Sequence, residues 1–129
     1  MRVVIDTNVF ISSRLSPAGN PAKVMDLITA GKIALCYSEN ILKEYKRVLA
    51  YEKFNFSIDI QKLLIDDVVN IGNLISHFVS EIPLPDESDR IFYDTAKAAD
   101  AYLITGNTKH FPDEPRILTP AQFVEMYEN

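Results

Sequence analysis

Short apolar runs that alternate with amphipathic segments constrain the fold of this chain more than any other feature of its sequence. Residues 3–5 are a β-branched run that begins almost at the N-terminus and predicts a buried, central parallel strand. Later runs at 33–37, 102–105 and 116–118 predict further strands. Because strands that alternate with helices usually pair in parallel, the pattern predicts an α/β fold, a three-layer α/β/α sandwich with a central, mainly parallel sheet.

The amphipathic segments predict helices, and several of these begin at recognisable capping residues. Ser38 and Thr119 cap helices that follow them directly, and Asn20 caps one that begins at Pro21. No repeat or linker interrupts the chain, so we expect residues 1–129 to form a single domain. The helices are predicted at 21–31, 39–53, 58–75, 86–101 and from 120 onwards, with a helical turn at 9–11 and a weak strand candidate at 77–79.

Composition limits the class of protein. The 129 residues carry a formal net charge of −5, and the pI is about 4.9. This argues against a general basic surface that grips nucleic acid, but not against an enzyme that meets phosphate through bound metal. No apolar run approaches the ~20 residues that cross a bilayer, and no signal peptide is recognisable. The single cysteine, Cys36, excludes an internal disulfide, and we expect a cytoplasmic protein without membrane contact.

Acidic and amide side chains stand where the predicted strands end. Asp6 ends the first strand, Asn107 follows a later one, and Asp89 opens the helix before that later strand. Right-handed crossovers bring these positions, together with Glu44 on the helix after the second strand, to the carboxyl edge of the sheet. Open α/β sheets bind ligands at this edge. Local structure also explains each acid by itself, since Asp6 and Asp86 can cap helical turns and Glu44 can pair with a nearby lysine.

A cluster of carboxylates without cationic partners predicts a site for divalent ions. Such a cluster repels itself at neutral pH and becomes favourable when cations neutralise it. Oxygen ligands select Mg²⁺ or Mn²⁺ over Zn²⁺. One ion, or a pair ~3.5–4 Å apart, lowers the pKa of a bound water and stabilises the leaving oxygen of a phosphodiester. The chain has no serine elbow, glycine-rich phosphate loop or HExxH helix that would predict another chemistry.

The order of four segments resembles the signatures of the PIN domain: IDTNVFIS, ENILKEYKRVL, PDESDRIFYDTA and AYLITGNTKHF. The chain is most similar to the PIN-family toxin components of bacterial toxin–antitoxin pairs, the VapC-like ribonucleases, and the resemblance covers essentially all of it. The resemblance implies a parallel sheet between helices and endonucleolytic cleavage of RNA that depends on Mg²⁺ or Mn²⁺. It also implies a small antitoxin partner and a homodimer.

The resemblance gives roles to individual residues. By position, Asp6, Glu44 and Asp89 match the three acids that bind metal and carry catalysis in the family. Asn8 matches the polar residue after the first acid, which implies that it holds Asp6 or the metal's water by hydrogen bonding. Asp86 lies in the same acidic run as Asp89 and is an auxiliary acid.

The chain departs from the family pattern at Asn107. Many members carry a fourth acid here, after the strand that ends with Thr105, and we count both residues as auxiliary. An asparagine can coordinate a cation through its carbonyl oxygen but brings no charge, so the departure weakens a second metal site. It leaves one-metal catalysis or low activity open.

Basic side chains near the acids are candidates for contacts with RNA phosphates. Lys109 and His110 rank first because they follow Asn107 directly. A solvated helix face explains Lys43, Lys46 and Arg47 equally well. The full set of candidate cations also includes Arg14 and Arg116, and among the helical residues we retain Arg14 and Lys46.

Two other functions are compatible with the sequence. Asn107 and the acidic pI favour a PIN module that binds RNA or a protein partner but cleaves weakly or not at all. A receiver-type module would instead accept a phosphoryl group on a strand-end acid such as Asp6. Receivers need a lysine after a late strand, and here Gly106 and Asn107 occupy that place, with Lys109 nearby. Metal-dependent cleavage and labelling by a small phosphodonor distinguish the three functions.

Overall fold

The fold, given by a computed structural model that describes residues 1–76 and 78–129, contains five strands and six helices within those ranges. The strands are β1 (Arg2–Ile5), β2 (Ala34–Tyr37), β3 (Asn73–Leu74), β4 (Tyr102–Ile104) and β5 (Ile117–Leu118). The helices are α1 (Thr7–Leu15), α2 (Asn20–Thr29), α3 (Glu39–Leu49), α4 (Ile58–Ile71), α5 (Arg90–Ala99) and α6 (Pro120–Glu128). Across the described ranges, no helix has both the length and the hydropathy of a membrane span.

All five strands are parallel and lie in the order β3-β2-β1-β4-β5. The chain runs outward from β1 through β2 to β3, then returns to β4 on the other side of β1. The direction of winding therefore reverses between β1 and β4, which makes this the topological switch point of the sheet. Ile5 pairs with Ile104, so β1 and β4 end level with each other.

The central strand β1 is covered on both faces. Val3, Val4 and Ile5 are each 0% exposed, although successive side chains of a strand point to opposite faces. α5 packs against β1, β2 and β4, whereas α2 packs against both α1 and α6. The three-layer α/β/α sandwich and the central place of β1 are thus confirmed.

Side-chain caps begin three of the helices. The hydroxyl of Ser38 accepts a hydrogen bond from a backbone N–H three residues on, as predicted, and Ser57 does the same for α4. Thr119 forms a capping box, in which its hydroxyl accepts from the N–H of Gln122 and the Gln122 amide oxygen accepts from the N–H of Thr119. The predicted cap Asn20 is instead the first residue of α2, after a cap at Gly19.

Gly72 ends α4 earlier than the sequence predicts. The predicted helix continues to residue 75, but Gly72 adopts extended backbone with ψ 165°. A Cβ at this position would lie 2.5 Å from the carbonyl oxygen of Val68 and 2.8 Å from the ring of Tyr37. Only glycine lets the chain pass this close to β2, and the next two residues then pair with β2 as strand β3.

The remaining boundaries differ by small amounts. The predicted turn at 9–11 is the nine-residue helix α1, and α3 ends at Leu49 rather than near 53. The helix predicted from 86 to 101 begins as a separate 3₁₀ turn, Glu87–Asp89, and α5 ends where Asp100 adopts a left-handed φ of 52°. Of the strand predicted at 77–79, residues 78 and 79 form no strand, and residue 77 lies outside the described residues.

Candidate active site

Asp6 lies at the switch point and is held there from β4. It follows β1 directly, and its backbone N–H donates to the carbonyl oxygen of Ile104 at 2.9 Å. Its Oδ2 accepts a 2.7 Å hydrogen bond from the hydroxyl of Thr105, which is 0% exposed. The same hydroxyl accepts a 3.1 Å hydrogen bond from the backbone N–H of Asn107. The carboxylate of Asp6 is therefore fixed by two strands and is only 8% exposed as a residue.

Glu44 reaches the same region from α3. Its Oε2 accepts a 2.9 Å hydrogen bond from the hydroxyl of Thr7, the residue after Asp6. Its Oε1 accepts from Nη2 of Arg47 at 3.0 Å, and the Glu44 side chain is 20% exposed. Both carboxylate oxygens of Glu44 thus already accept hydrogen bonds within the protein.

Tyr45 ties α3 to the end of β1. Its hydroxyl donates a hydrogen bond to the carbonyl oxygen of Ile5, the residue before Asp6. Its ring stacks on Phe10 with 4.4 Å between centroids and 14° between planes. Because Tyr45 is wholly buried and adjacent to Glu44, this contact fixes the helix that carries Glu44 relative to Asp6.

Asp89 contributes the third carboxylate, from the 3₁₀ turn before α5. Its side chain is 15% exposed, and Nδ1 of His110 lies 3.3 Å from its Oδ2. That oxygen is buried and has no hydrogen-bond partner among the described residues. The ring contact is an ion pair only when the imidazole is protonated.

The electrostatics show that these acids share one environment. Burial raises the pKa of Asp6, and the charge of Glu44 raises it further, while the hydrogen bond from Thr105 opposes both. Burial likewise raises the pKa of Asp89, and Asp6 and then Asp86 add to it, against a lowering by His110. We call Asp6, Glu44 and Asp89 the carboxylate site.

The carboxylate site fits a hard divalent cation in the type of its donors. All three side chains offer oxygen, and Oδ2 of Asp89 is a buried acceptor without a partner. Within residues 1–76 and 78–129, however, no three acidic, histidine or cysteine side chains are arranged to hold a metal ion as they stand. The ligand roles of Asp6, Glu44 and Asp89 therefore stay a prediction, and Glu44 would have to exchange its present hydrogen bonds.

The predicted auxiliary residues differ in their contacts with the carboxylate site. Asn8 is exposed, and the hydrogen bonds that lower the pKa of Asp6 come from Thr105 and from the backbone of Thr7 and Asn8. Asp86 caps the 3₁₀ turn by accepting from the N–H and hydroxyl of Ser88, which lowers its pKa. The amide of Asn107 lies 2.9 Å from Nε2 of the His110 ring.

Among the predicted RNA-binding residues, the structure shows His110 in contact with an acid of the site, and Lys109 precedes it in the same turn. Lys109 and His110 belong to the 3₁₀ turn Thr108–His110, and His110 contacts Asp89 directly. Arg14 lies in the last turn of α1 and lines a groove between α1, α2 and α4. Lys46 is exposed in the last turn of α3, where its neighbour Arg47 is bound to Glu44.

Three polar residues near the site were missed from the sequence. Thr7 binds Glu44, and its place directly after Asp6 was the available signal. Tyr45 lies at an apolar position of α3, and the signal was that a buried tyrosine hydroxyl needs a partner. Asp94 is a buried acid of α5 that stands among Phe92, Tyr93 and other core residues, and an acid in such a run was the signal.

The parallel sheet and the acids at its switch point define the class of this protein: an α/β protein with an acidic site at the carboxyl edge of the sheet. The model of the PIN domain family matches residues 2–109. The chain is 30% identical to the uncharacterized protein MJ1680 of Methanocaldococcus jannaschii, over 99% of this chain and 92% of that protein. The chain belongs to the PIN domain family.

A solved structure with a similar fold is VapBC2 from Rickettsia felis, bound to a DNA fragment from its promoter. The match has a TM-score of 0.62 at 16% identity, and it covers 92% of this chain and 97% of that chain. At this identity the similarity extends to the fold. Membership of the PIN family also removes the main support for the receiver-type alternative, which rested on a strand-end Asp alone.

Proposed function

We propose that this chain, as one PIN unit over residues 1–129, is a metal-dependent endoribonuclease. The observation that carries the proposal is the carboxylate site itself, in which the buried Asp6 and the half-buried Glu44 and Asp89 come from three separate elements and affect one another's electrostatics. Burial raises the pKa of Asp6 and of Asp89, and the charge of Glu44 raises the first further as the charge of Asp6 raises the second. A protein that keeps such a costly arrangement gains from it when a cation neutralises the charge.

Asp6, Glu44 and Asp89 would hold Mg²⁺ or Mn²⁺, the ions that suit an all-oxygen site. When bound, such an ion lowers the pKa of a water molecule and offsets negative charge on a phosphodiester. The chain's own residues supply the positioning. Thr105 keeps the carboxylate of Asp6 in one orientation, and Thr7 does the same for Glu44.

The turn Thr108–His110 would guide the RNA backbone towards the acids. Lys109 is exposed at this turn, and His110 already lies against Asp89. A cation there attracts phosphate in a protein whose overall charge is −5. Arg14 and Lys46, which lie on other parts of α1 and α3, would contribute only to longer-range attraction.

Cleavage of a labelled single-stranded RNA with Mg²⁺, with Mn²⁺ and with EDTA tests the proposal. We expect cleavage with either ion, none with EDTA, and none for Asp6→Asn, whose fold should be preserved. Asp66→Asn, at an exposed acid of α4, is the control for an equal change of charge. Folded protein that cleaves no RNA with either ion would contradict the proposal.

A second candidate is a PIN module that binds RNA or a partner with little or no catalysis. Asn107 favours it, because an amide at this position brings no charge for a second ion and instead contacts His110. RNA affinity without cleavage in the same assay would support it. Asn107→Asp provides a further test, since the added carboxylate should raise the rate only in a metal-dependent enzyme.

We also propose that the chain is the toxin of a toxin–antitoxin pair, a VapC-like protein of the cytoplasm. PIN-family membership and the fold similarity to VapBC2 support this assignment. The partner would then be a small antitoxin, and the toxin would form a homodimer. Growth arrest on expression, relieved by co-expression of a neighbouring reading frame, tests the pairing, and light scattering tests the dimer.

A further inference from the structure

A buried carboxylate outside the carboxylate site lacks a complete set of partners. Asp94 lies in α5 and is 3% exposed. Its Oδ2 accepts a hydrogen bond of 3.0 Å from the backbone N–H of Ser80. Its Oδ1 is buried and has no hydrogen-bond partner among the described residues. An unpaired carboxylate oxygen is costly inside a protein, so a ligand N–H that reached it would be bound strongly.

Asp94 lines a cleft of about 160 Å³ at the carboxyl edge of the sheet. Ser38, which follows β2, and Ser76, which lies two residues after β3, form other parts of its wall. Asp6 ends β1 at this same edge, and Asp89 directly precedes α5. This Asp94 cleft therefore lies at the same edge of the sheet as the carboxylate site.

Arg90 also lines the Asp94 cleft but does not hydrogen-bond to Asp94. Its Nε and Nη2 each donate to the carboxylate of Glu87 at 2.7 Å. Its Nη1 donates to the carbonyl oxygen and hydroxyl of Ser80, and its Nη2 also donates to the carbonyl oxygen of Ile82. Arg90 and Asp94 thus hold residues 80–82 against α5, and none of these hydrogen bonds uses Oδ1 of Asp94.

The chemistry of the cleft selects a neutral ligand. A phosphate would meet the carboxylates of Asp94 and Glu87 and be repelled. A metal ion would meet the guanidinium of Arg90, and the described residues contain no ready set of three metal-binding side chains. A planar group with an N–H donor fits, because the ring of Phe78, which is 49% exposed, offers a face for stacking and Asn40 offers an amide.

We propose that the Asp94 cleft binds one base of single-stranded RNA, with Oδ1 of Asp94 accepting an exocyclic amino N–H and Phe78 stacking on the base. This site rests on the proposed ribonuclease function and adds its base selectivity. Adenine, cytosine and guanine carry an amino group that can donate to the carboxylate. Uracil has carbonyl oxygens on both sides of its N3–H, and the carboxylate repels them, so the cleft selects against uracil at one position near the cut.

Asp94→Asn tests the selectivity, because its amide oxygen can still accept from Ser80 while its NH₂ group replaces Oδ1. The assay is cleavage of a randomised RNA pool with Mn²⁺, followed by sequencing of the ends. We expect the wild type to favour amino-bearing bases over uracil about tenfold at one fixed distance from the cut, as one charge-assisted hydrogen bond allows. In Asp94→Asn the preference should disappear or reverse, with thermal unfolding as the check on folding. A wild type without base preference, or a variant that keeps it, overturns the proposal.

Phe78→Leu tests the stacking without a risk to the fold, because the ring is largely exposed. In the Asp6→Asn background, which should not cleave, the binding of short oligonucleotides is measured by fluorescence anisotropy. We expect Phe78→Leu to bind about tenfold more weakly, as the loss of one stacked base predicts. Ile82→Ala, an exposed residue of the same segment outside the cleft, should bind normally.

Equal affinity of Phe78→Leu and Ile82→Ala would overturn the base site. Failure of the wild type to cleave RNA would instead count against the ribonuclease proposal, since the binding assay needs no cleavage. The two failures are therefore distinguishable.

Discussion

The carboxylates at the switch point and the carboxylate beside β5 are both buried to a large degree, yet their environments are opposite. Burial and neighbouring negative charge raise the pKa of Asp6 and Asp89. Burial also acts on Glu114, whose side chain is 24% exposed, but hydrogen bonds from Lys97 and the hydroxyl of Tyr93 outweigh it and lower the pKa. The ionised form is penalised in the first region and stabilised in the second.

The difference distinguishes carboxylates that could bind a ligand from a carboxylate that only stabilises the fold. Glu114 already has its cation, and its bonds to two side chains of α5 fasten the segment before β5, so no ligand is needed there. Among the described residues, Oδ2 of Asp89 is buried without a hydrogen-bond partner, and Asp6 accepts from a hydroxyl and from backbone amides but pairs with no cation. A divalent ion would supply positive charge to Asp6 and Asp89, whereas Glu44 already pairs with Arg47.

The largest test of this contrast is catalytic. Asp89→Asn removes a proposed metal ligand and should lower the rate of RNA cleavage at least ~100-fold, because even residues that only orient a ligand cost 10–100-fold. Glu114→Gln changes the net charge equally and should cleave at a rate near that of the wild type. Initial rates at saturating Mn²⁺ measure both. A comparable loss in the two variants would show that the contrast has no bearing on function.

A hydroxyl behind the site should have the next largest effect. Thr105 donates to Asp6 and accepts from the backbone of Asn107, so Thr105→Val removes both bonds while keeping the shape of the side chain. We expect the affinity for Mn²⁺ to fall ~10–100-fold, as for other residues that hold a metal ligand. Thr105→Ser should retain it. Titration of the unfolding temperature with Mn²⁺ gives the affinity without relying on activity, and an unchanged affinity in Thr105→Val would contradict the role.

Without metal, substitutions of Asp6 and of Glu114 should change the thermal stability in opposite directions. The folded-state pKa of Asp6 is raised, so its ionisation penalises folding above that pKa, and the penalty vanishes below the unfolded value near 3.8. Asp6→Asn should therefore melt about 3 °C higher than the wild type at pH 7 in EDTA, with the gap closing as pH falls towards 4. Glu114 has a lowered pKa, so it stabilises the fold above pH 4.5 and loses this effect on acidification.

Glu114→Gln should accordingly melt lower than the wild type at pH 7, with the gap also closing in acid. Scanning calorimetry from pH 4 to 7 measures both gaps. The two variants change the net charge by the same amount, so a general charge effect would move them in the same direction. Opposite signs are the outcome that the two environments require.

The sequence predicted the features that depend on local pattern. The β-branched run of β1, its abrupt end at Asp6 and the caps at Ser38 and Thr119 all follow from residues close together in the chain. Strand β3 could not be predicted in the same way. It has only two residues, and its position depends on how closely Gly72 passes the ring of Tyr37, thirty-five residues earlier.

The site itself was predictable in its acids but not in their partners. Asp6 and Asp89 are predicted site residues because the first ends a predicted strand and the second opens a predicted helix. The hydrogen bond from Thr7 to Glu44 joins two separate elements, and no periodicity encodes it, whereas the Glu44–Arg47 pair has ordinary helical spacing. The charge of Arg14 also did not predict where this residue lies relative to the acids, since a basic residue fits an exposed helix surface as well as a phosphate contact.

The smallest expected effect concerns Tyr45, which joins the scaffold to the site. Tyr45→Phe keeps the stack on Phe10 and removes only the hydrogen bond to the carbonyl oxygen of Ile5. The loss should cost about 1 kcal/mol of unfolding free energy. Because that carbonyl immediately precedes Asp6, the affinity for Mn²⁺ should also fall by a few-fold. Phe10→Leu disturbs the stack and leaves the Tyr45 hydroxyl in place, so it should lower the stability and leave the affinity for Mn²⁺ unchanged. If Tyr45→Phe also leaves the affinity unchanged, Tyr45 supports only the core.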